Sequence, residues 1–252
     1  MIDLSLIGIG TGNPDHLTLQ AVREMNRADL VLIPHKGADK SDLAELRRTI
    51  CATHLTGATQ VVEFDLPRRD VTTPDYIYGV NDWHDAIATF WADMIALHLP
   101  SGGRVALLVW GDPSLYDSSL RIADRLRALG LDLRVTVIPG LTSLQVLTAA
   151  HAIPLNTLGA PVLVTTGRQL RLHGWPAGVD TLVVMLDGAC AFQGLPPAGI
   201  TIYWAAYLGM PEQILEAGPL VVASPRIVAR RAAARAMHGW IMDVYLLRRE
   251  VT

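Results

Sequence analysis

Short apolar runs broken by glycine or proline alternate with helical stripes along the first half of the 252-residue chain. Residues 4–9 form one such run, punctuated by Gly8, Gly10 and Gly12, and Asn13-Pro14-Asp15 follows as a turn and helix start. Leu17, Ala21, Val22, Met25 and Ala28 make a helical stripe, and residues 30–33 are the next run, stopped by Pro34. Ser41–His54 reads as helix, residues 61–66 as strand and residues 81–99 as a long helix ended by Pro100. Residues 105–110 read as a strand running straight into Gly111-Asp112-Pro113. Strands that are apolar throughout must be covered on both faces, so this alternation demands an α/β domain with a mostly parallel sheet.

The second half changes character. Residues 120–129 and 142–151 read as helices, and residues 226–237, rich in Ala and Arg, as another. Strands fall at 133–138, 162–166, 181–186, 201–205 and 240–247, which outnumber the helices and predict a mixed or antiparallel sheet. The expected boundary lies just after Pro113, giving domains 1–113 and 114–252.

Composition removes whole classes of function. With 21 basic and 24 acidic side chains the net charge is -3, which lacks the basic excess a nucleic-acid binder uses to neutralise phosphates. No apolar stretch reaches the roughly 18 residues of a membrane span, and no basic segment precedes the first apolar run, so a cytoplasmic protein without membrane contact is expected. Cys51 and Cys190 are too far apart in sequence to suggest a metal pair and read as reduced, packed thiols. No metal site is expected.

The glycine turn invites a dinucleotide reading that the residues refuse. That fingerprint needs G-x-G-x-x-G and an acid closing the second strand; position 13 is Asn, and the second strand ends Ile33-Pro34-His35. A turn through which a ligand approaches the backbone fits better.

Four segments gain meaning together. They are Gly8-Ile9-Gly10-Thr11-Gly12-Asn13-Pro14-Asp15-His16-Leu17-Thr18, then Gly111-Asp112-Pro113, then Pro139-Gly140-Leu141-Thr142-Ser143, then Val183-Val184-Met185-Leu186. Alone, each is an ordinary turn, helix cap or core segment. In this order they resemble the tetrapyrrole methylase family, over essentially the whole chain. Within that family the stretches Ile33-Pro34-His35-Lys36-Gly37, Asp82-Trp83-His84-Asp85, Thr165-Thr166-Gly167-Arg168, Met185-Leu186-Asp187-Gly188 and Gly239-Trp240-Ile241-Met242-Asp243 resemble the branch that methylates precorrin-5 at C1 and expels acetic acid, giving precorrin-6A. Another tetrapyrrole or diphthine-type methyltransferase of the same fold is the alternative.

The resemblance implies the class III methyltransferase fold: two α/β domains, an active site in the cleft between them, and usually a homodimer. It implies S-adenosyl-L-methionine as methyl donor, leaving S-adenosyl-L-homocysteine, and a precorrin as substrate. Carried over by position, the cofactor residues are Pro14, Trp110, Gly111, Asp112, Leu115, Thr142, Ser143, Tyr207, Leu208 and Gly209, with Met185 and Leu186 both candidates for the residue touching it. A helix start such as Thr142-Ser143 suits a carboxylate because its N–H donors are unpaired.

Expelling an acetyl group needs water and therefore a general base. Asp15, His35, His84, Asp85 and Asp187 are candidates, with Asp15, His84 and Asp187 carried as catalytic. Gly10 and Gly12 are expected beside the substrate. Its carboxylates call for local cations, for which Lys36 and Arg168 are preferred over Arg68, Arg69 and Arg171 because each follows a strand end. Arg226, Arg230, Arg231 and Arg235 are expected on a solvated helical face or a subunit contact.

Overall fold

The computed structural model describes residues 1–35, 41–67 and 75–249. The chain divides into two compact units, one of Met1–Gly10 and Pro14–Leu141, the other of Thr11–Asn13 and Thr142–Thr252.

The first unit alternates β1 (Ile2–Gly8), α1 (Leu19–Arg27), β2 (Leu30–His35), α2 (Ser41–His54), β3 (Gln60–Asp65), α3 (Tyr76–His98), β4 (Gly103–Val109), α4 (Ser119–Ala128) and β5 (Leu133–Ile138). Its five strands lie in the order β3-β2-β4-β1-β5, all parallel. Alternate side chains of each strand go to opposite faces. Leu4, Leu6, Leu30, Leu32, Val105 and Leu107 pack under α3 and α4 through Ile87, Trp91, Ile95, Ile122 and Leu126. Ile7, Val31, Ile33, Ala106 and Leu108 pack under α1 and α2 through Ala21, Met25, Ala44 and Ile50. The expected domain boundary after Pro113 differs from the observed division at Leu141. The reason is that β5 pairs parallel with β1, residue for residue from Ile2↔Leu133 to Ile7↔Ile138, and so completes the first sheet. Helix α3 starts at Tyr76, five residues before the expected start, because the Asp75 carboxylate caps the Ile77 and Tyr78 N–H groups ahead of Gly79.

The second unit contains α5 (Ser143–His151), β6 (Val162–Thr166), α6 (Gly167–His173), β7 (Thr181–Met185), β8 (Ile200–Ala206), β9 (Ile214–Pro219), α7 (Leu220–His238) and β10 (Asp243–Arg249). The strand order is β6-β7-β10-β8-β9, with β6 and β7 parallel and every other pair antiparallel. This is the mixed sheet the strand-rich half predicts. Strand β9 was not foreseen: it is an edge strand of half-buried residues ending in Pro219, so it has no clean alternation. Helix α7 was expected only after Pro225 and in fact begins at Leu220. The N–H that Pro225 lacks would have gone to the carbonyl of Val221, a residue 63% exposed, where water can replace it. No described helix is long and apolar enough to cross a membrane, and both cysteines are free and buried.

Strands β1 and β4 leave the sheet toward opposite faces, so the switch point of this α/β unit lies between their carboxyl ends. There the two segments are zipped together: Gly10 and Gly111 exchange N–H···O bonds at 3.3 and 2.8 Å. Beside them, backbone packs on backbone. A Cβ on Gly140 would lie 2.3 Å from the Gly111 carbonyl oxygen and 2.7 Å from Gly8, and one on Gly8 would lie 2.5 Å from the Gly140 nitrogen. The buried Asp112 carboxylate locks this arrangement, accepting the Gly140 N–H at 2.9 Å, the Ser114 N–H at 2.8 Å and the Ser114 hydroxyl. Burial pushes that carboxyl up, but the Ser114 and Gly140 donors outweigh it and hold it below its ordinary value.

Two expected outcomes follow from this closure. Gly140→Ala drives a methyl group into backbone that cannot yield and costs about 3 kcal/mol, the upper range for overpacking, measurable by denaturant unfolding. Asp112→Asn removes charge-assisted bonds worth about 1.5–3 kcal/mol at neutral pH. Because the folded-state carboxyl lies below its unfolded value of 3.8, its contribution is full above that pH and lost as pH falls through the folded value. The stability gap between wild type and Asp112→Asn therefore closes in acid; a gap independent of pH would contradict the closure described.

Candidate functional site

At the carboxyl edge of the first sheet the β2–β4 ladder stops at Leu32↔Leu107 although both strands continue. Pro34 has no N–H to give, and the Leu108 carbonyl is taken by Arg47 Nε at 2.9 Å. Arg47 also donates to the Leu43 carbonyl at 2.9 Å and is only 6% exposed. Burial draws its guanidinium down to about 10, with Asp117 acting in the opposite sense. Beyond this gap, the last residue of β2, His35, places Nε2 at 2.5 Å from Glu63 Oε2 on β3. The other Glu63 oxygen accepts from Arg48 Nε at 2.8 Å, and Arg48 also pairs with Glu45. Arg48 first, then His35, holds the Glu63 carboxyl below its usual value.

In the same unit Trp110 and Leu115 are half-buried and flank the Asp112 turn. Gly111 has φ +67, and a Cβ there would meet nothing within 4 Å. Pro14 and Asp15 form a short 3-10 turn with His16, Asp15 being exposed. Gly10 turns out to be a structural glycine: both its backbone groups bond Gly111, and a Cβ would lie 2.9 Å from His16.

In the second unit Gly12 is likewise a packing position, since a Cβ would fall 2.3 Å from Met210 Cγ and 3.3 Å from the Leu208 carbonyl oxygen. Gly12 thus lies against Leu208 and Met210 of its own unit. Tyr207 holds φ +51 while buried, its hydroxyl donating to the Trp240 carbonyl at 2.5 Å, and Gly209 donates to Gln213 Oε1 at 2.9 Å. Thr142 caps α5: its hydroxyl accepts the Leu144 N–H at 3.2 Å, and Gln145 Oε1 accepts the Thr142 N–H at 3.0 Å. The next residue, Ser143, has a buried hydroxyl without a hydrogen-bond partner, as has Thr11. Met185 closes β7 half-buried, whereas Leu186 has φ +53 and is 66% exposed. A leucine held left-handed and open is strained and unpacked, the marks of a residue kept for contact.

The catalytic candidates separate sharply. Asp187 is 4% exposed, and both carboxylate oxygens are committed: Oδ1 accepts from Arg171 Nη1 at 2.8 Å and Ala189 N at 3.1 Å, Oδ2 from Ala191 N at 2.5 Å and the Tyr245 hydroxyl at 2.7 Å. It organises the loop after β7 and has no lone pair directed at a substrate, which corrects its reading as a base. His84 is not on a solvated helix surface; it is 3% exposed with both ring nitrogens unpartnered. Burial, then Arg125 and Arg121, lowers its pKa, so it is a neutral imidazole inside the α3 face. Asp85 pairs with Arg125 Nε at 2.6 Å. Of the proposed cations, Lys36, Arg68 and Arg69 lie outside the described residues, Arg168 is exposed in the first turn of α6, and Arg171 serves Asp187. The α7 arginines are not one solvated face: Arg226 and Arg230 pair with Glu216, and Arg231 reaches Asp243 Oδ2 at 3.0 Å in a largely buried pair. Reading from sequence missed Arg47 and the His35–Glu63 pair. Arg47 had a signal, standing on the helical stripe Ala44, Arg47, Ile50, Cys51 where a cation is out of place.

Known proteins share this architecture and sequence. The family model described as Tetrapyrrole (Corrin/Porphyrin) Methylases matches residues 3–222. A Sinorhizobium protein named Precorrin-6A synthase (deacetylating) is 48% identical over 251 residues, covering 99% of this chain and 96% of that protein. A crystal structure from Corynebacterium diphtheriae, described as a cobalamin synthesis related protein (CobF), superposes with a TM-score of 0.84 at 39% identity, covering 99% of each chain. A Thermus thermophilus uroporphyrin-III C-methyl transferase, solved with S-adenyl homocysteine, shares the fold with a TM-score of 0.61 at 19% identity, over 98% of this chain and 97% of that one. With its two α/β units and a family match across most of its length, this chain belongs to the tetrapyrrole methylases.

Proposed function

We propose that this enzyme transfers the methyl group of S-adenosylmethionine to C1 of precorrin-5 and releases the neighbouring acetyl group as acetic acid, giving precorrin-6A. The observation that carries the reading is the 48% identity, spread over nearly the full length of both chains, to a protein named for this conversion. The working form is read as a homodimer, as family resemblance implies, and as cytoplasmic, as the lack of a long apolar stretch suggests.

The residues present fit the cofactor. A carboxylate needs donors, and the start of α5, a helix N-terminus, offers the buried, unpartnered Ser143 hydroxyl. A chain of backbone contacts needs glycine, and Gly111 leaves open space where a side chain would stand. Gly111, Asp112 and Leu115 are assigned to the methionine part, Asp112 acting through the turn it locks. Thr142 and Ser143 are assigned to the carboxylate, Leu208 and Gly209 to the adenosine end, and Pro14, Trp110, Met185, Leu186 and Tyr207 to the surrounding wall. Arg168 remains a candidate for a substrate carboxylate.

When bound, S-adenosylmethionine supplies a methyl group on an electrophilic sulfonium centre. The protein's task is to orient the acceptor carbon in line with that bond and exclude competing nucleophiles, a matter of positioning more than of acid–base chemistry. Rigid backbone turns suit it, because they hold a partner without side-chain rearrangement.

The reading predicts that incubation with precorrin-5 and S-adenosylmethionine yields equimolar S-adenosylhomocysteine and acetate and a product with one methyl group gained and one acetyl group lost, by mass spectrometry. Methylation without acetate release would favour the alternative family activity, and no methylation would overturn the reading. Ser143→Ala should raise the Kd for S-adenosylhomocysteine by about 10-fold or more, the cost of a hydrogen bond to a charged group. It should leave the melting temperature of the free protein unchanged or higher, because an unsatisfied buried hydroxyl is removed. Unaltered affinity in calorimetry would remove Ser143 from the site.

A further inference from the structure

Tyr116, Ala152, Leu186, Cys190 and Tyr207 hold positive φ although none is glycine. Ala152 closes α5, Cys190 and Tyr207 are buried, and Leu186 already has a place in the wall assigned to the cofactor. Tyr207 shows what such a conformation does when it serves packing: its ring meets His238 and Trp240, and its hydroxyl donates to the Trp240 carbonyl at 2.5 Å. Tyr116, at φ +50 in the first unit, is the opposite case. It is 45% exposed, and among the described residues its ring has no aromatic neighbour and its hydroxyl no hydrogen-bond partner.

The backbone on both sides of Tyr116 is nonetheless fixed. Before it, the Leu115 N–H donates to the Asp112 carbonyl at 3.3 Å, and the Asp112 carboxylate takes the Ser114 and Gly140 N–H groups. After it, the Asp117 carboxylate accepts the Ser119 N–H at 2.6 Å, and the Asp117 carbonyl accepts from Arg121 Nη1 at 2.8 Å. The strained conformation is thus imposed by its neighbours and used by none of them, the circumstance in which strain marks a functional position. The place is the right one. Asp117 is near enough to the buried Arg47 to act on its charge, and Arg47 Nε holds the Leu108 carbonyl at the end of β4. The loop carrying Tyr116 therefore lies at the carboxyl end of β4, beside the switch point where such sheets bind ligands. It is also the loop whose Gly111, Asp112 and Leu115 are assigned to the cofactor.

We propose that Tyr116 is a substrate-binding residue, its ring packing on the tetrapyrrole and its hydroxyl donating a hydrogen bond to one of the substrate's carboxylates. This inference rests on the function proposed above and names a contact of the same site. Partial burial raises the phenol pKa, so the group is a neutral donor throughout the physiological range. A neutral donor on an aromatic ring suits a conjugated macrocycle fringed with carboxylates, because the ring covers apolar surface while the hydroxyl meets charge.

The test compares Tyr116→Phe, which removes only the hydroxyl, with Tyr116→Asn, which removes the ring while keeping a residue type that tolerates the left-handed turn. In Tyr116→Phe the KM for precorrin-5 rises about 10-fold, the worth of a hydrogen bond to a charged group, with kcat within about threefold of wild type. Tyr116→Asn raises KM further. The Kd for S-adenosylhomocysteine, measured by calorimetry, stays within about twofold in Tyr116→Phe, and its melting temperature is unchanged because the hydroxyl bonds nothing in the protein. An unchanged KM in Tyr116→Phe overturns the proposal and leaves the proposed function standing. If Tyr116→Phe loses S-adenosylhomocysteine affinity along with KM, the residue supports the cofactor turn and the substrate contact is overturned. Should Tyr116→Asn fail to fold, Tyr116→Phe decides alone. A wild-type protein that does not turn over precorrin-5 removes both readings at once.

Discussion

Three glycines packed backbone against backbone, closed by one carboxylate, hold the carboxyl edge of the first unit's sheet in shape. Gly8, Gly111 and Gly140 end or follow three neighbouring parallel strands, and no side chain fits at Gly8 or Gly140. Asp112 then reaches from the turn after β4 to the N–H after β5. The arrangement spends polar groups on structure: the Asp112 carboxylate, the Gly10 amide and the Gly111 carbonyl are all satisfied internally. What it leaves is a tightly packed turn with open space on one glycine, Gly111, where a Cβ would meet nothing within 4 Å. That suits a ligand recognised by shape and main-chain contact, and it explains why the motif is so glycine-rich without being a dinucleotide fingerprint.

The second unit reaches a comparable end by strain and a buried network. Leu186, Cys190 and Tyr207 all hold positive φ, each costing about 1–2 kcal/mol for a residue with a side chain. Asp187 repays this locally by gathering Arg171, Ala189, Ala191 and Tyr245 around the loop after β7, and Gly167 is required because its Cβ would sit 2.2 Å from the Asp187 carboxyl. Leu186 is thereby held left-handed and exposed just after a strand buried up to its last residue, the half-buried Met185. The loop's conformation is over-determined around one residue that makes little use of it for packing, which is how such strain persists.

Legibility from sequence followed locality. The strands of the first sheet and the turn segments were readable because continuous apolar runs and Gly/Pro punctuation are local signals. The fold class was readable for the same reason, and the family through the order of four short segments. The domain boundary was not, because assigning β5 to the first sheet depends on pairing with a strand about 130 residues earlier. Asp187 looked like a base for want of knowledge that four donors converge on it, and Gly10 and Gly12 looked like ligand contacts when they are demanded by His16 and Met210. The His35–Glu63 pair was invisible because it depends on β2 and β3 being adjacent and in register. Residue type suggests chemistry, but only the tertiary neighbours say whether a polar group is still available for it.

Availability also divides the work at the ligand edge. Methyl transfer from a sulfonium asks for alignment, which backbone turns provide, and it needs no titratable group of matched pKa. Carbon–carbon cleavage by water does need one, because a proton must leave the attacking oxygen. Backbone can supply donors, but no backbone atom takes up a proton at neutral pH. The part of the site built from glycine turns is therefore fit for the methyl transfer of the proposed reaction alone.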